Sequence, residues 1–388
     1  MKNVRFAVVG VGNMGTYHAE YLAAGEIPGA RLAALCDVSG KRRDAAQEKF
    51  PGVPVYTGYK EMLAKEELDA LIVATPHYSH EEITVYALNS GLNVICEKPE
   101  AVSVSAALRM NQAAKESGGL YSVMFNQRTD PLFRKAKELV EGGVLGKKKR
   151  LTWIITNWYR TQAYYDSGRW RATWRGEGGG VLLNQAPHNL DLWQWIFGMP
   201  DSVTAFCTVG KYHKIEVEDD VRIIARYNDG EVAEFITSTG EFPGTNRLEM
   251  IGDRAKIVLE DGKLKLWKLA VPEREFCFES KEGFASIDTE YEEFVPDTEV
   301  EGHRAITKNF VDALLYGEKL ISPGIEAINE LTISNAAYLS ADSGRTVSLP
   351  FEPNDFDRLL ESLAKDGKPL NDAPLNETPS PERWKVRW

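Results

Sequence analysis

The sequence predicts an α/β protein whose N-terminal part forms a doubly wound parallel sheet and whose second part is built mainly on antiparallel strands. Three observations predict this fold class. Short apolar runs alternate with helical patterns up to about residue 125, a glycine-rich turn follows the first run, and polar–apolar alternation begins at residue 149. With 388 residues and 43% hydrophobic side chains, the chain can bury two sizeable cores.

The first domain, expected over residues 1–125, contains apolar runs that do not alternate, as in strands buried on both faces. These runs are residues 5–9, 31–36, 69–74, 93–97 and 120–125. Helical patterns lie between them at residues 14–25, 40–49, 80–91 and 104–117. Because crossovers between parallel strands are right-handed, this order predicts a sheet with helices on both faces.

The turn after the first strand reads GVGNMG, a G-x-G-x-x-G pattern that opens a helix. Gly10 permits the tight turn, Gly12 lets backbone approach a pyrophosphate, and Gly15 lets helix and strand pack closely. The helix N-terminus offers unpaired N–H groups to phosphates. The residues expected at this dinucleotide site are Gly10, Gly12, Asn13, Met14, Gly15 and Asp37.

Asp37 ends the second predicted strand, where a carboxylate can accept hydrogen bonds from the adenosine ribose hydroxyls. Its charge repels a 2′-phosphate, so the predicted cofactor is NAD. NADP stays open as an alternative because Lys41, Arg42 and Arg43 follow closely. The other interpretation of these three residues is that they are charges on a helix surface.

Two further loops follow buried strands, at the sheet edge where such folds bind ligands. The first, TPHYSH at residues 75–80, is expected to contact the cofactor through Thr75, Pro76, His77 and His80. Its HxxH lacks a nearby Cys or carboxylate cluster, so no metal site is expected. The second is CEKP at residues 96–99, where a lysine after a buried strand is costly unless its charge is used. Lys98 is therefore a candidate catalytic residue that is also expected to contact the cofactor; the alternative is a solvated lysine before a turn.

A glycine-rich entrance, a polar cluster and an amphipathic pattern follow one another in residues 176–198. Pro187 is tolerated only in the first turn of a helix, so a helix is predicted to begin between residues 184 and 186 and to end at Gly198. This places His188 in the first turns. Histidine titrates near neutral pH, so His188 is the candidate general base.

Residues 157–174, NWYRTQAYYDSGRWRATW, have neither a strand nor a helix period and interleave aromatic side chains with arginines. Aromatic faces stack on the C–H faces of pyranose rings, and arginine donates to their hydroxyls. The pattern favours a sugar or cyclitol substrate; the alternative is a lid or interface loop packed by its own aromatics. The expected substrate-binding residues are Trp158, Tyr159, Arg160, Tyr164, Arg171, Asn184 and Gln185, although Asn184 is equally suited to cap a helix.

The second domain, expected over residues 126–350, carries alternation typical of an antiparallel meander with one covered face. The predicted strands are residues 149–157, 202–210, 218–227, 231–240, 245–251 and 255–260. Helical apolar spacing over 325–339 predicts a core helix. Residues 351–388 hold five prolines and many charges and are expected to form an extended tail, with Trp384 and Trp388 as anchors.

Charge and cysteine content exclude several function classes. A net charge of −11 argues against nucleic acid or an anionic membrane as partner. The four cysteines include no CxxC pair, so disulfides are not expected. The chain enters a strand at residue 5, which leaves no room for a signal peptide, and no apolar run reaches membrane-spanning length. A cytoplasmic location is expected.

Several motifs together resemble the Gfo/Idh/MocA family of sugar and inositol dehydrogenases, and the resemblance extends to about residue 350. It implies an N-terminal Rossmann domain and a C-terminal α/β domain with a large open, mostly antiparallel sheet that pairs with another subunit, as a homodimer or homotetramer. The motifs that carry it are VVGVGNMG (8–15), ATPHYSH (74–80), CEKP (96–99), FNQR (125–128), GGGVLLNQAPHNLDLWQWIFG (178–198) and GIEAINELTISNAAYLSADSGRTVSLP (324–350).

The resemblance also implies roles for individual residues. The family's active-site lysine and histidine match Lys98 and His188. Its cofactor site matches Gly10, Gly12, Gly15, Asp37, Thr75, Pro76, His80 and Glu97. From FNQR we expect Asn126 near the cofactor and Arg128 near the substrate. Many members have Asp at Asn184 and Asn at His77, and the first departure leaves the identity of the general base open.

The expected activity is oxidation of a secondary hydroxyl of a sugar, glycoside or cyclitol, or reduction of the matching ketone, with NAD. Hydride passes to nicotinamide C4, His188 takes the hydroxyl proton, and Lys98 stabilises alkoxide character. Two alternatives stay open. One is a glycosidase that uses tightly bound NAD through a transient ketone, and the other is a non-catalytic NAD-binding sensor.

Overall fold

The protein was analysed as a computed structural model that describes residues 3–168, 170–298 and 300–367. The two tail tryptophans, Trp384 and Trp388, lie outside these residues. Among the helices described, none is long and apolar enough to cross a membrane.

The first domain is a six-stranded parallel sheet with the order β3-β2-β1-β4-β5-β6. Its strands are β1 (Val4–Val9), β2 (Ala30–Cys36), β3 (Val55–Tyr56), β4 (Ala70–Val73), β5 (Asn93–Cys96) and β6 (Tyr121–Val123). Its helices are α1 (Asn13–Ala23), α2 (Gly40–Lys49), α3 (Tyr59–Lys65), α4 (Tyr78–Asn89) and α5 (Val104–Ser117). The predicted doubly wound fold is confirmed.

The strand order reverses beside β1, because β2 pairs with one edge of β1 and β4 with the other. Val8 lies opposite Leu35 of β2 and Ile72 of β4. The loops after β1 and β4 therefore leave the sheet side by side, at the position where such folds bind ligands. The short β3 and α3 were missed by the sequence analysis because β3 has only two residues, both half-buried.

The second domain is a nine-stranded mixed sheet with the order β14-β13-β12-β11-β7-β10-β9-β8-β15. The strands are β7 (Lys148–Ile155), β8 (Ser202–Val209), β9 (Glu218–Arg226), β10 (Val232–Ser238), β11 (Asn246–Gly252), β12 (Ala255–Glu260), β13 (Lys263–Leu269), β14 (Thr289–Phe294) and β15 (Val347–Ser348). A simple antiparallel meander was expected, but β7 lies between β10 and β11 and runs parallel to β10. The long connection after β7 allows this central position.

The remaining elements follow β6 and connect the two sheets. They are the 3₁₀ turn η1 (Asn126–Thr129) and the helices α6 (Pro131–Glu141), α7 (Gln162–Tyr165), α8 (Val181–Asn184), α9 (Pro187–Phe197), α10 (Glu273–Glu279), α11 (His303–Tyr316), α12 (Gly324–Ser343) and α13 (Pro353–Asp366). The predicted core helix at 325–339 is the centre of α12, which packs against α5, α9 and β8.

Helix α11 returns to the first domain although it follows the second sheet in sequence. Its Ile306, Phe310 and Val311 join the apolar cluster around β1, and the Phe310 ring lies 6.3 Å from the Phe6 ring. The first domain is thus completed by residues far beyond 125, and the two sheets are held by packing as well as by the chain connection.

The segment after Phe351 was expected to be extended, but Pro353–Asp366 is a helix. Pro353 occupies the first turn, where its missing N–H breaks no helical bond. Phe356 is fully buried and stacks on Tyr338 at 5.8 Å between ring centroids. The prolines that suggested an extended tail therefore include one that begins a helix.

Candidate active site

The glycine turn between β1 and α1 is shaped for close backbone approach. Gly10 has φ +89°, and a Cβ there would lie 2.5 Å from the Ala74 carbonyl oxygen. A Cβ on Gly15 would lie 1.6 Å from the Gly10 oxygen, so helix and strand need glycine at both positions. At Gly12 the nearest atom to such a Cβ is 3.9 Å away, on Arg42. The turn is tight on its inner side and open on its outer side.

Asp37 is buried at the end of β2 and organises the same turn. Its carboxylate accepts hydrogen bonds from the backbone N–H groups of Val11 at 2.9 Å and Ser39 at 2.8 Å. Arg42 Nη1 lies 3.7 Å from Asp37 Oδ2. Arg43 turns to the Asp37 and Val38 carbonyls instead. Of the three basic residues that follow Asp37, Arg42 is therefore the one placed against its carboxylate.

The loop after β4 connects the cofactor edge to the second domain. His77 Nδ1 donates to the Glu177 carbonyl at 2.8 Å, and its ring lies 5.3 Å from the Trp170 ring. The ring nitrogens of His80 lie 2.8 Å from the Pro99 carbonyl oxygen and 2.9 Å from that of Thr75. His80 thus ties the loop after β4 to the loop after β5.

Glu97 lies in a buried polar network that the sequence analysis missed. Its carboxylate lies 2.7 Å from His18 Nε2, and His18 Nδ1 lies 2.5 Å from the Tyr21 hydroxyl. Burial alone would raise the pKa of Glu97, but the hydrogen bond with His18 and the nearby His303 and Lys98 lower it to about 2. Glu97 is therefore a stable carboxylate behind Lys98.

Lys98 follows β5, and its side chain is half-buried at the junction of the two domains. Its Nζ donates to the main-chain carbonyl of Asn184 at 2.7 Å. Burial lowers the pKa of Lys98, and the charges of Arg171 and Arg160 lower it further, whereas Glu97 and Glu177 raise it. The lysine is a positioned cation, not a solvated one.

His188 occupies the first turn of α9, which begins at Pro187 and is followed by Gly198 with φ +100°. The predicted helix is confirmed, and a separate turn, α8, precedes it. The imidazole is buried, 6.1 Å from the Phe125 ring. Burial lowers its pKa well below the ordinary value, and the charges of Lys98 and His303 lower it further. A neutral imidazole therefore faces the lysine.

Glu177 is the residue of this site that the sequence analysis missed. Its side chain accepts a hydrogen bond from the Asn184 amide and another from the Ala172 N–H at 2.6 Å. Burial raises its pKa, while Arg171, Asn184 and Lys98 act against that rise. One signal in the sequence could have pointed to Glu177. The resemblance implies Asp at position 184, and its replacement by Asn suggests that another carboxylate lies nearby in the chain.

Tyr164 and Arg171, from the segment 157–174, lie beside this group. The Tyr164 hydroxyl accepts from Arg171 Nη1 at 2.8 Å and from Gln185 Nε2 at 3.2 Å. Trp158 is buried and donates to Asn189 at 3.2 Å, and Tyr159 lies 5.6 Å from the Phe242 ring. Tyr164 and Gln185 are therefore beside the Lys98–Asn184 pair, whereas Trp158 is packed inwards.

Arg128 was expected near the substrate, but the structure places it in a buried ion-pair cluster. Its Nε and Nη2 donate to Asp191 at 2.8 and 2.6 Å. Its Nη1 donates to Glu326 at 2.5 Å and to the Ile321 carbonyl at 3.2 Å. The guanidinium is used to join η1 to α9 and α12, so this expectation is wrong. Asp191 shares a face of α9 with His188, but its carboxylate is paired with Arg128.

The residues present fit a dinucleotide. Besides the open side of Gly12, the buried side-chain oxygens without a hydrogen-bond partner among the residues that the structure describes include two at this edge: Thr75 Oγ1, after β4, and Asn126 Oδ1, after β6. Buried polar atoms without a partner are costly, so both positions favour a bound polar ligand. The turn, Asp37 and these two loops lie at the same edge of the sheet.

Two family models match the chain. The model described as "Oxidoreductase family, NAD-binding Rossmann fold" of GFO/IDH/MocA matches residues 4–125, and the C-terminal domain model of the same family matches residues 133–258. Together they cover more than half of the sequence. The boundary between the matches falls at η1, after the last strand of the parallel sheet.

Several curated relatives are similar over large parts of the chain. The scyllo-inositol 2-dehydrogenase (NAD(+)) of Bacillus subtilis is 26% identical over 89% of this chain and 96% of its own length. The myo-inositol 2-dehydrogenase of Thermotoga maritima is 27% identical over 66% of this chain and 75% of its own. An uncharacterised oxidoreductase of Schizosaccharomyces pombe is 30% identical over 58% of this chain, and that alignment spans 61% of the relative.

Solved structures share the fold. The WlbA dehydrogenase from Bordetella pertussis, in complex with NADH and UDP-GlcNAcA, has a TM-score of 0.77 and 26% identity, over 90% of this chain and 100% of that one. A levoglucosan dehydrogenase in complex with NADH and levoglucosan has a TM-score of 0.74 at 19% identity. With the two family models and the geometry of the glycine turn, the conclusion is that this chain belongs to the GFO/IDH/MocA family and is an NAD-binding oxidoreductase.

Proposed function

We propose that the protein is an NAD-dependent dehydrogenase that oxidises a secondary hydroxyl of a sugar, glycoside or cyclitol, or reduces the matching ketone. The observation that carries the proposal is the group formed by the half-buried Lys98 and Asn184 and the buried His188, between the nucleotide loops and the aromatic segment 157–174. The names of the inositol dehydrogenases among its relatives support the same substrate class.

Bound NAD supplies the hydride acceptor, at nicotinamide C4. His188 takes the hydroxyl proton of the substrate while the carbinol hydrogen leaves as hydride. Its low pKa keeps the imidazole neutral near pH 7, so a ring nitrogen can accept a proton. Lys98 stabilises the negative charge that develops on the substrate oxygen, and its half-buried position strengthens that interaction.

Glu177 acts as a positioning residue in this mechanism. Its carboxylate accepts a hydrogen bond from the Asn184 side chain, and the main-chain carbonyl of Asn184 accepts one from Lys98 Nζ. Its negative charge also opposes the fall in the pKa of Lys98 caused by burial. Glu177 thereby keeps the ammonium charged and aimed, without itself reaching the reacting carbon.

The direct test follows NADH absorbance while the protein is offered a panel of pyranosides, 1,6-anhydrosugars and inositols, with NADP in parallel. Reduction of NAD by at least one member of the panel, with loss of turnover in Lys98→Ala, is the expected result. The dehydrogenase proposal would be contradicted if the protein binds NAD but no member of the panel reduces NAD and no matching ketone oxidises NADH.

The second candidate is a glycosidase that returns the hydride before product release. The segment 157–174, with its six aromatic residues, favours it because such a surface suits a glycoside. Cleavage of a glycosidic bond without net NADH is the result that selects this candidate. Accumulation of NADH without cleavage selects the dehydrogenase.

We further propose that the nine-stranded sheet mediates a homodimer or homotetramer. Its outer face exposes apolar side chains among charged ones, including Phe206, Ile224 and Val232. Light scattering coupled to size exclusion tests this proposal, and a Phe206→Glu variant should shift the protein towards monomer. An unchanged monomer mass for both proteins would contradict it.

A further inference from the structure

Two guanidinium groups are held beside the candidate active site by aromatic faces. Arg171 lies 4.6 Å from the Tyr164 ring centroid and 4.5 Å from that of Trp170. Arg160 lies 5.1 Å from the same Tyr164 ring and 5.7 Å from that of Trp158. Stacking uses the faces of a guanidinium and leaves its N–H groups at the edges for other partners.

The hydrogen bonds of these arginines leave much of their donor capacity unused. Arg171 donates through Nη1 to the Tyr164 hydroxyl at 2.8 Å. Arg160 donates through Nη1 to the carbonyls of Trp158 and Tyr159, at 3.2 and 3.0 Å. Each guanidinium has five donors. Within residues 3–168, 170–298 and 300–367, no carboxylate forms an ion pair with either arginine, and both side chains are half-buried.

The charges around this pair leave the region positive. Lys98 is close enough for both arginines to lower its pKa. Glu177 is the carboxylate that faces Arg171 and Lys98, and its oxygens already accept from Asn184 and from a backbone N–H. His188 is neutral because burial lowers its pKa. Three cations are therefore set against two carboxylates, Glu97 behind Lys98 and the already engaged Glu177, in a chain whose net charge is −11.

We propose that Arg160 and Arg171 form a subsite for an anionic substituent, a carboxylate or a phosphate, carried by the sugar or cyclitol that the protein oxidises. The proposal rests on the proposed function and specifies its substrate class. Both anions match the two-donor edge of a guanidinium, which makes short, charge-assisted hydrogen bonds to them. A neutral hydroxyl would leave two half-buried cations with only the already engaged Glu177 as a nearby counter-charge, which is costly.

The subsite is linked to the reacting group through short contacts. Tyr164, which both arginines stack on, accepts from Gln185 at 3.2 Å. Gln185 follows Asn184, whose carbonyl holds Lys98 Nζ at 2.7 Å. An anion bound at the arginines would therefore set the orientation of the ring whose hydroxyl meets Lys98 and His188, so the subsite acts on selectivity as well as affinity.

The test measures binding by calorimetry to the protein saturated with NADH, and so does not depend on turnover. The ligands are matched sets in the gluco, galacto and manno series: the methyl glycoside, its uronate and its 6-phosphate. We expect one of the two anionic forms to bind about tenfold more tightly or better than the neutral glycoside in at least one series, as for charge-assisted hydrogen bonds. Which anion prevails distinguishes the carboxylate from the phosphate.

The variants are Arg171→Gln and Arg160→Gln, with Arg175→Gln as the matched control. Arg175 directly follows the segment 157–174, but it is exposed and donates to main-chain carbonyls of α13. Loss of the anion preference in either test variant, with the preference retained in Arg175→Gln, supports the subsite. Equal binding of neutral and anionic ligands to the unaltered protein would overturn it, and so would a preference that survives in both test variants.

Failure of the proposed function gives a different result. If the anion preference is present and depends on Arg171 but no sugar reduces NAD, the subsite stands and the dehydrogenase activity does not. If neutral sugars reduce NAD and no anion preference is found, the activity stands and the subsite is overturned. Far-ultraviolet circular dichroism of each variant confirms that it is folded.

Discussion

The side-chain amide of Asn184 donates a hydrogen bond to the carboxylate of Glu177, while the main-chain carbonyl of the same residue accepts one from Lys98. Asn184 therefore joins a buried acid to a half-buried cation. Many family members are expected to have a carboxylate at position 184 itself. In this chain the carboxylate comes from seven residues earlier, at the start of the glycine-rich entrance, and the amide stands between it and the lysine.

Replacing Glu177 with Gln should lower kcat/KM roughly tenfold or more, the effect of losing one hydrogen bond to a charged group. It should also move the alkaline limb of the pH profile to lower pH. Glu177 raises the pKa of Lys98, so without that charge the ammonium loses its proton earlier as the pH rises. The other charges facing Lys98 are Glu97, Arg160 and Arg171.

Glu177→Asp is the matched control because it keeps the charge. It should lower the rate through displaced geometry but leave the alkaline limb near its original pH. If Glu177→Gln loses activity with an unchanged pH profile, the residue has only a structural role and the positioning assignment is wrong.

Lys98→Ala should lower kcat/KM by about 100- to 1,000-fold, the effect of removing one preorganised group that stabilises an oxyanion. The Kd for NADH, measured by fluorescence titration, should change little, because Asp37 and the glycine turn are untouched. Full activity with intact cofactor binding would contradict the electrostatic role of Lys98.

His188→Ala should lower kcat for oxidation by about 100- to 10,000-fold, as for loss of a general base. In the unaltered protein, oxidation requires neutral His188, whose pKa is lowered well below the ordinary value by burial. Activity should therefore persist into mildly acidic solution and fall only when the pH drops through that lowered pKa. Unchanged turnover in the variant would show that another group accepts the proton.

Arg128→Met should reduce the free energy of unfolding by about 3–5 kcal/mol, because Asp191 is left as an unpaired buried charge. Urea denaturation measures this loss. Arg134→Met, on the exposed side of α6, is the control and should change stability by about 0.5 kcal/mol or less. If Arg128→Met instead raises KM strongly and leaves the free energy of unfolding unchanged, Arg128 contacts the substrate and the structural assignment is wrong.

Asp37→Asn should raise the ratio of kcat/KM for NADP to that for NAD by about tenfold or more, equivalent to 1.4 kcal/mol. The amide oxygen can still accept from a backbone N–H, but the charge that repels a 2′-phosphate is gone. Arg42, 3.7 Å from the carboxylate, is then available to the phosphate. An unchanged ratio would mean that Asp37 does not decide cofactor choice.

Local patterns were sufficient for most of the fold. Buried parallel strands carry continuous apolar runs, so β1, β2, β4 and β5 were located to within one residue at each end. The glycine turn was also predicted from the sequence, and the backbone leaves no room for a side chain at Gly10 or Gly15. The elements that were missed include the short β3, helices that begin at a proline, such as α6 and α13, and also the long α11 and the strands β13 and β14.

The sequence by itself determined the fold class and the NAD-binding turn and singled out Lys98 and His188 as candidate reactive groups, because these depend on residues that are neighbours in the chain. Only the tertiary structure decided which charged side chains are available. Arg128 and Glu177 are both buried. Arg128 is paired with Asp191 and Glu326, whereas Glu177 contacts Asn184, a residue of the candidate active site. The physical reason is that a charge acts through the partners that packing brings to it, and those partners are up to 198 residues away in the chain.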